Sequence, residues 1–493
     1  MFQYLVLVFL AFIVSQIFID IKNRIFTRPK PTLKVVMIFC ITIILYSLLI
    51  IIYWILIATR MEEIGTVENI EFLLFIYLVN PLVIFLSVLI VNPFFNYKKQ
   101  KIIIAATNKI KNLKKVKVIG ITGSYGKTST KEFLFAILSS KYKVVKTEGN
   151  NNTNIGVAYT VLNKVSDEYD YFICEMGAYK IGEIAEICSI VNPEIGILTG
   201  INEQHIELFG SIENTRKAKF ELIEALPEGG FAIINSGIKN QESGVRVEDV
   251  RYFSNNLASD IKLNSNSIEF KYKNQNFKIN ILGKHYIENL ISAIIVAEQL
   301  GMNLDEISEA IKKIEPTEFM MRKITGSKNS IFIDDSYSAN PDGVVAALEY
   351  LNEAYSDYRK IIIFPGIIEL GEKSGEIHRK LFEKIDQVCD EAYIMNDDLK
   401  NTPHLLRRST PLKRGIKKDE IYTINDDLKV ETGHNSIPMN EKMNCEFIFE
   451  NDFEKVAKII RKDLDEKTVI LFESRGAGVV MGKLRLEINK TKK

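Results

Sequence analysis

The sequence feature that most restricts the fold is a short apolar run feeding a glycine loop. Val116-Lys117-Val118-Ile119-Gly120-Ile121 is rich in β-branched residues and reads as a buried strand. Thr122-Gly123-Ser124-Tyr125-Gly126-Lys127-Thr128-Ser129-Thr130 follows, and Phe133, Leu134, Ile137 and Leu138 then fall on one face of a helix. Strand, glycine loop and helix form the context in which backbone N–H groups wrap phosphate oxygens, helped by the positive end of the helix. Lys127 is placed to reach terminal phosphates, and the Thr128 hydroxyl to ligate Mg²⁺. The candidate phosphate-binding residues are Gly123, Ser124, Tyr125, Gly126, Lys127, Thr128 and Ser129. The spacing is irregular. The common pattern, G-x-x-x-x-G-K-[ST], needs glycine at Ile121, and the glycines stand instead at Gly120, Gly123 and Gly126. A glycine turn that carries Lys-Thr by chance is the alternative, and the flanking strand and helix argue against it.

Further strands follow. Tyr171-Phe172-Ile173-Cys174-Glu175 ends in a carboxylate, where α/β sheets bind ligands. Glu175 is a candidate metal ligand, with a solvated strand-end Glu as the equal alternative. Ile195-Gly196-Ile197-Leu198-Thr199 precedes a polar loop holding His205, a metal-ligand candidate against the alternative of a surface histidine. Residues 213–226 form an amphipathic helix with Arg216, Lys217 and Lys219, to which pattern alone assigns only solvation. Strands at 360–364 and 468–472 alternate with helices at 343–354 and 452–464, which predicts a second parallel sheet. Residues 396–445 are polar and poorly periodic.

The first 97 residues are of another kind. Apolar runs cover about 1–19, 35–58 and 72–91, and the second and third carry no charge and are long enough to cross a hydrocarbon core of about 30 Å. The loop after the first run holds Lys22, Arg24, Arg28, Lys30 and Lys34. The loop after the second holds Glu62, Glu63, Glu68 and Glu71. Lys98, Lys99, Lys101 and further lysines follow the third. Positive loops stay cytoplasmic, so a multi-pass cell-membrane protein is expected, with its N-terminus outside and everything after about Asn92 inside. The lysine stretch reads either as a headgroup contact or as a solvated linker. Lys plus Arg total 63 against 62 Asp plus Glu, so no charge excess points to nucleic acid. Five scattered cysteines without metal-ligand spacing fit reduced thiols.

The motif series resembles the Mur ligases. It runs through residues 122–130, Glu148-Gly149-Asn150-Asn151-Asn152, Glu175-Met176-Gly177-Ala178, His205-Ile206-Glu207-Leu208-Phe209-Gly210-Ser211 and Arg216-Lys217-Ala218-Lys219. Gly283-Lys284-His285-Tyr286-Ile287-Glu288-Asn289 and Asp334-Asp335-Ser336-Tyr337-Ser338-Ala339-Asn340-Pro341 continue it. Ile368-Glu369-Leu370-Gly371, Ile377-His378 and Ser474-Arg475-Gly476 complete it. The irregular glycine spacing is the variant this family uses, and the series most resembles its dipeptide-adding branch. The resemblance implies an α/β fold: a P-loop central domain at 115–320 with a mostly parallel sheet, and a Rossmann-like C-terminal domain at 321–493. Three transmembrane helices within 1–97 and a basic linker at 98–114 come before them. A hinge is expected at about 314–330.

The resemblance also implies roles. Lys127 would bind the ATP phosphates, Thr128 and Glu175 would hold one Mg²⁺, and His205 and a carbamylated Lys219 would serve a second. Asn289 would contact adenine, Arg322 the phosphates and Asp335 the ribose, with Asn150 and Asn152 near the acceptor. Such an enzyme makes an amide from an acyl phosphate and an amino acid or dipeptide amine, on a UDP- or lipid-linked cell-wall precursor. The departure lies at the front, where the family's UDP-binding domain gives way to the membrane runs. Tyr286 also stands where relatives commonly carry Asn. Competing readings are a membrane-bound poly-amino-acid synthase and a P-loop ATPase that drives transport.

Overall fold

β-branched strands alternating with amphipathic helices build two six-stranded sheets, as seen in a computed structural model. It describes residues 32–60, 66–149, 151–204, 206–241, 247–264, 266–337, 340–396, 399 and 444–486. The chain divides into two units, 1–102 and 103–493.

In the larger unit the first sheet contains β1 (Lys117–Thr122), β2 (Val144–Lys146), β3 (Tyr171–Glu175), β4 (Ile195–Leu198), β5 (Phe231–Asn235) and β6 (Asp249–Phe253). Its order is β2-β3-β1-β4-β5-β6, and every pairing is parallel. From β1 the chain runs out past β3 to β2, and from β3 it crosses back over β1 to β4, which opens a crevice at the carboxyl ends of β1 and its neighbours. The expected mostly parallel sheet is thus entirely parallel among the described residues. Helix Lys127–Leu138 closes one face by burying Phe133, Leu134, Ile137 and Leu138 completely. Each such side chain contributes about 1.5–3 kcal/mol by leaving water.

β7 (Ser259–Leu263), β8 (Ile268–Tyr272) and β9 (Gln275–Ile279) form a separate antiparallel sheet. Helix Tyr286–Gln299 then packs against helix Lys127–Leu138. The last sheet contains β10 (Arg322–Thr325), β11 (Ile331–Asp335), β12 (Arg359–Phe364), β13 (Glu391–Ile394), β14 (Glu446–Phe449) and β15 (Thr468–Glu473). Its order is β10-β11-β15-β12-β13-β14, parallel except for the antiparallel edge strand β10. The stretch read as a hinge, 314–330, therefore already contains a strand of this sheet.

The N-terminal unit holds helix Leu33–Arg60 and most of helix Thr66–Asn112. Two stretches, Leu33–Ile55 and Leu74–Asn112, are long and apolar enough to cross a membrane. Of the three crossings expected, two therefore have a helical counterpart, and the run at 1–19 lies outside the described residues. The basic stretch expected as a linker is helical to Asn112, continuous with the apolar segment. Polar side chains within the two apolar helices meet each other. Thr42 Oγ1 donates to Ser87 Oγ at 2.9 Å, and Tyr46 OH to Asn80 Oδ1 at 2.5 Å. Such pairing is the usual way to satisfy hydroxyls and amides among apolar helices.

Candidate active site

Loop 123–126 leaves β1 at the crevice, and its glycines are required there. Gly123 has φ +150°, and a Cβ on it would lie 2.1 Å from Thr199 Oγ1. Gly126 has φ +74°, and a Cβ on it would lie 2.5 Å from Asn289 Oδ1. Both positions combine a backbone shape that side chains rarely adopt with no room for one. Ser124 N donates to Gly200 O at 2.7 Å, and a Cβ on Gly200 would meet the Tyr125 ring. Ser129 is buried one turn further on.

Lys127 folds back over the loop. Its Nζ donates to Gly123 O at 2.7 Å and to Ser124 O at 3.0 Å. Burial holds its pKa below the ordinary lysine value, with Glu175 opposing. A phosphate would offer this ammonium ionised acceptors in place of neutral carbonyls.

Glu175 closes the site from the end of β3 and is 2% exposed. Three donors converge on it. Thr128 Oγ1 lies 3.3 Å from Oε1, Asn152 Nδ2 3.1 Å from Oε1, and Lys131 Nζ 2.9 Å from Oε2. Lys131 is fully buried and also donates to Gly149 O at 3.3 Å. The expected pair Thr128 and Glu175 therefore stand together, and Asn152 faces the same carboxylate. Hydroxyl and carboxylate oxygens are the hard donors Mg²⁺ prefers, and Mg²⁺ commonly takes one or two carboxylates plus substrate phosphates. Among the described residues no cluster of three or more His, Cys, Asp or Glu could hold a metal unaided. The sparse donor set fits Mg²⁺ held jointly with phosphates.

Lys219 sits on the buried face of helix Ile212–Glu224, 3% exposed, with Lys217 on the exposed face. Burial first, and the nearby Lys127 charge second, push its pKa down to about 7. Its Nζ lies 5.5 Å from the centre of the Phe209 ring. Pattern alone assigned this lysine to a solvated face, and the fold buries it. His205 and Asn150 lie outside the described residues.

Asn289, 5% exposed on helix Tyr286–Gln299, packs its amide against Gly126. Arg322 and Asp335 stand on the second sheet. Arg322 is engaged by Asp334 at 2.6 Å. Asp335 pairs in register with Glu473 at the ends of β11 and β15. Glu473 is 1% exposed, and among the described residues neither of its carboxylate oxygens has a hydrogen-bond partner. Burial raises both carboxyl pKa values, helped by Asp334 at Asp335 and by Asp335 at Glu473. His378 accepts from Ile367 N at 3.0 Å through Nε2, and its Nδ1 lies 2.8 Å from Ser374 O, so this motif histidine shapes a loop. The two sheets' domains touch where Asn202 Nδ2 meets Asp342 Oδ2 at 2.8 Å and Lys284 meets Glu349 at 3.0 Å.

Two residues were missed from sequence. Lys131 carried a signal, because Lys131, Leu134 and Leu138 lie three and four apart on one helical stripe, and a charge there needs a partner. Tyr286 had been noted only as a departure. Its OH accepts from Met321 N at 3.0 Å, which ties the central helix to the segment before β10.

Residues 121–297 match the Mur ligase middle domain, and residues 321–476 match the Mur ligase glutamate ligase domain. The UDP-N-acetylmuramoyl-tripeptide--D-alanyl-D-alanine ligase of Rickettsia prowazekii is 30% identical over 330 residues, 64% of this chain and 73% of that one. The chain belongs to the Mur ligase family. The ligase of the same name from Escherichia coli is 34% identical over 280 residues, covering 54% of this chain and 61% of the relative. The chain thus spans about three fifths of that relative's length. The fold agrees with solved Mur ligases. MurF from Thermotoga maritima in complex with ADP superposes with a TM-score of 0.64 at 23% identity, over 80% of this chain and 84% of that one. MurF from Acinetobacter baumannii gives 0.64 at 21% identity, over 78% and 80%.

Proposed function

We propose that this Mur ligase family member is an ATP-dependent, amide-forming ligase that extends a cell-wall precursor at the cytoplasmic face of a membrane. The observation that carries the reading is the convergence of Thr128, Asn152 and Lys131 on Glu175, beside the loop over which Lys127 folds, at the carboxyl ends of β1 and β3. In this reading the γ-phosphoryl group of ATP passes to a substrate carboxylate. The P–O bond to ADP breaks, and an acyl phosphate forms. An amine then attacks the acyl carbon, the C–O bond breaks, and phosphate leaves an amide behind. The relatives join D-alanyl-D-alanine, so a dipeptide amine is the proposed nucleophile.

The chain's own residues have definite tasks. Lys127 neutralises charge on the transferring group. Thr128 and Glu175 would hold Mg²⁺, which supplies charge neutralisation on the phosphates when bound. Asn289 fits the nucleotide side of the loop, with Arg322 and Asp335 brought by the second sheet. Lys219 is suited to carbamylation. Only a neutral amine attacks carbon dioxide, and a pKa near 7 leaves much of it neutral at physiological pH. In that reaction the N–C bond would form as the amine loses a proton to solvent, and the carbamate oxygens, with His205, would be the residues that hold a second metal ion.

The two apolar helices support a membrane location, with the lysine-rich end cytoplasmic. They stand where the family's UDP-binding domain is expected, which favours an acceptor presented at the membrane on a lipid carrier. The test is turnover of the purified full chain with ATP, dipeptide and either a lipid-linked or a UDP-linked precursor. The lipid-linked form is expected to turn over faster. Equal or faster turnover of the UDP form overturns the membrane presentation, and amide formation with neither overturns the ligase.

A further inference from the structure

The buried Lys131 is unused by the reaction as written, yet it makes the shortest contact to the proposed metal carboxylate. Its Nζ stands 2.9 Å from Glu175 Oε2, while Oε1 faces Thr128 and Asn152. The two carboxylate oxygens therefore have separate partners. Oε2 belongs to the ammonium, and only Oε1 is presented beside the threonine hydroxyl. The same ammonium reaches Gly149 O at 3.3 Å, in the loop that carries Asn152. Lys131 is fully buried and Glu175 nearly so, so water screens this arrangement little.

The charges in the cluster are unequal. Lys127 and Lys131 bring two ammonium groups to the Glu175 carboxylate, and the next carboxylate, Glu132, 3.8 Å from Lys131 Nζ, is itself paired with Lys146. A free divalent cation approaching Oε1 meets a carboxylate already neutralised and a second ammonium folded over the loop. The Coulomb terms there oppose a cation and favour an anion. Nucleotide phosphates reverse the balance, because their negative charge exceeds what the two lysines carry.

We infer that Lys131 is a positioning residue that holds Glu175 as a charge-compensated, one-oxygen metal ligand, so that a divalent cation binds together with the nucleotide rather than ahead of it. The inference rests on Glu175 and Thr128 being metal ligands, as proposed above. It adds an order of binding and a residue that sets it. A purely structural Lys131 would affect folding but not the affinity for free metal.

The experiment is Mn²⁺ titration of the full chain followed by electron paramagnetic resonance, with and without a non-hydrolysable ATP analogue. Wild type is expected to bind Mn²⁺ weakly alone and at least about tenfold more tightly in the nucleotide complex. It is also expected to bind ADP detectably in EDTA. Lys131→Met and Lys131→Gln should bind free Mn²⁺ about tenfold more tightly than wild type, and bind ADP in EDTA more weakly. Lys131→Arg, which keeps the charge, should restore wild-type behaviour in both. Tight binding of free Mn²⁺ by wild type overturns the inference without any variant. Unchanged or weaker free-metal binding in a folded neutral variant, with folding checked by thermal unfolding, overturns it too. Neither titration uses a carboxylate or amine substrate, so a failed ligase assay would leave both standing.

Discussion

Both large sheets end a central strand in a buried carboxylate, and they treat it in opposite ways. Glu175 on β3 is met by an ammonium, a hydroxyl and an amide. Glu473 on β15 faces Asp335 across one strand pairing, with no hydrogen-bond partner among the described residues for either of its oxygens. Burial costs a charge several kcal/mol unless it is compensated. The first sheet compensates internally with Lys131. In the second, both carboxyls are pushed toward their protonated forms, which suits donation and acceptance of hydrogen bonds with hydroxyl groups. One sheet meets its buried carboxylate with cationic and polar side chains, and the other sets two carboxyls side by side.

The sharpest way to break this contrast is at Glu175. Glu175→Ala leaves the buried Lys131 ammonium only Gly149 O and the more distant Glu132 carboxylate, 3.8 Å away, and should lower unfolding stability by about 3 kcal/mol as well as abolish turnover. Denaturant melts of the full chain read the first effect. A loss below about 1 kcal/mol would mean that Lys131 finds another partner, and the contrast would fail.

Activity gives the next effect. Lys127→Ala should lower kcat by about 10²–10³-fold, since it removes a preorganised positive charge from the transferring phosphoryl group. Lys219→Ala should lose most activity too, with partial recovery on adding short carboxylates that replace a carbamate. Full activity in that variant contradicts the second-metal assignment.

The smallest effect tests the other sheet. A carboxyl with a raised folded pKa is protonated when folded and ionised when unfolded, over the range between the two values. Stability then falls as pH rises from the unfolded value, about 4.3 for Glu, toward the folded one. Glu473→Gln removes this loss and relieves Asp335. It should stabilise the nucleotide-free protein by about 1–3 kcal/mol at pH 8 and change little at pH 4. Thermal melts at the two pH values decide it, and destabilisation at pH 8 would show that Glu473 is already satisfied.

Much of the first sheet was legible because its signals are local. The runs at β1, β3 and β4 are short, apolar and bounded by turns, and the loop residues follow in order, so Lys127, Thr128 and Glu175 could be named from spacing and resemblance. Lys219 was reached only through resemblance, because nothing in a helical charge pattern says which lysine the next layer will cover. Lys131 lies two residues past Ser129, the last candidate of the loop, although its place on the apolar stripe marked it. The antiparallel β7–β9 sheet also escaped. Its alternation of Ile268, Phe270 and Tyr272 with Phe277 and Ile279 around the Lys273-Asn274 turn is a hairpin pattern. Glu473 was read as lying past its strand, since only the pairing with β11 extends β15 that far.

The most direct measurement of the central claim is a product balance. The full chain would be incubated with ATP, a dipeptide and a lipid-linked precursor, with ADP and the new amide quantified by mass spectrometry. The account predicts ADP and amide in equal amounts, and no sustained turnover of either when the dipeptide is replaced by its N-acetylated form. ADP released without amide, at a rate indifferent to dipeptide and precursor, would contradict it and return the chain to a phosphate-loop ATPase.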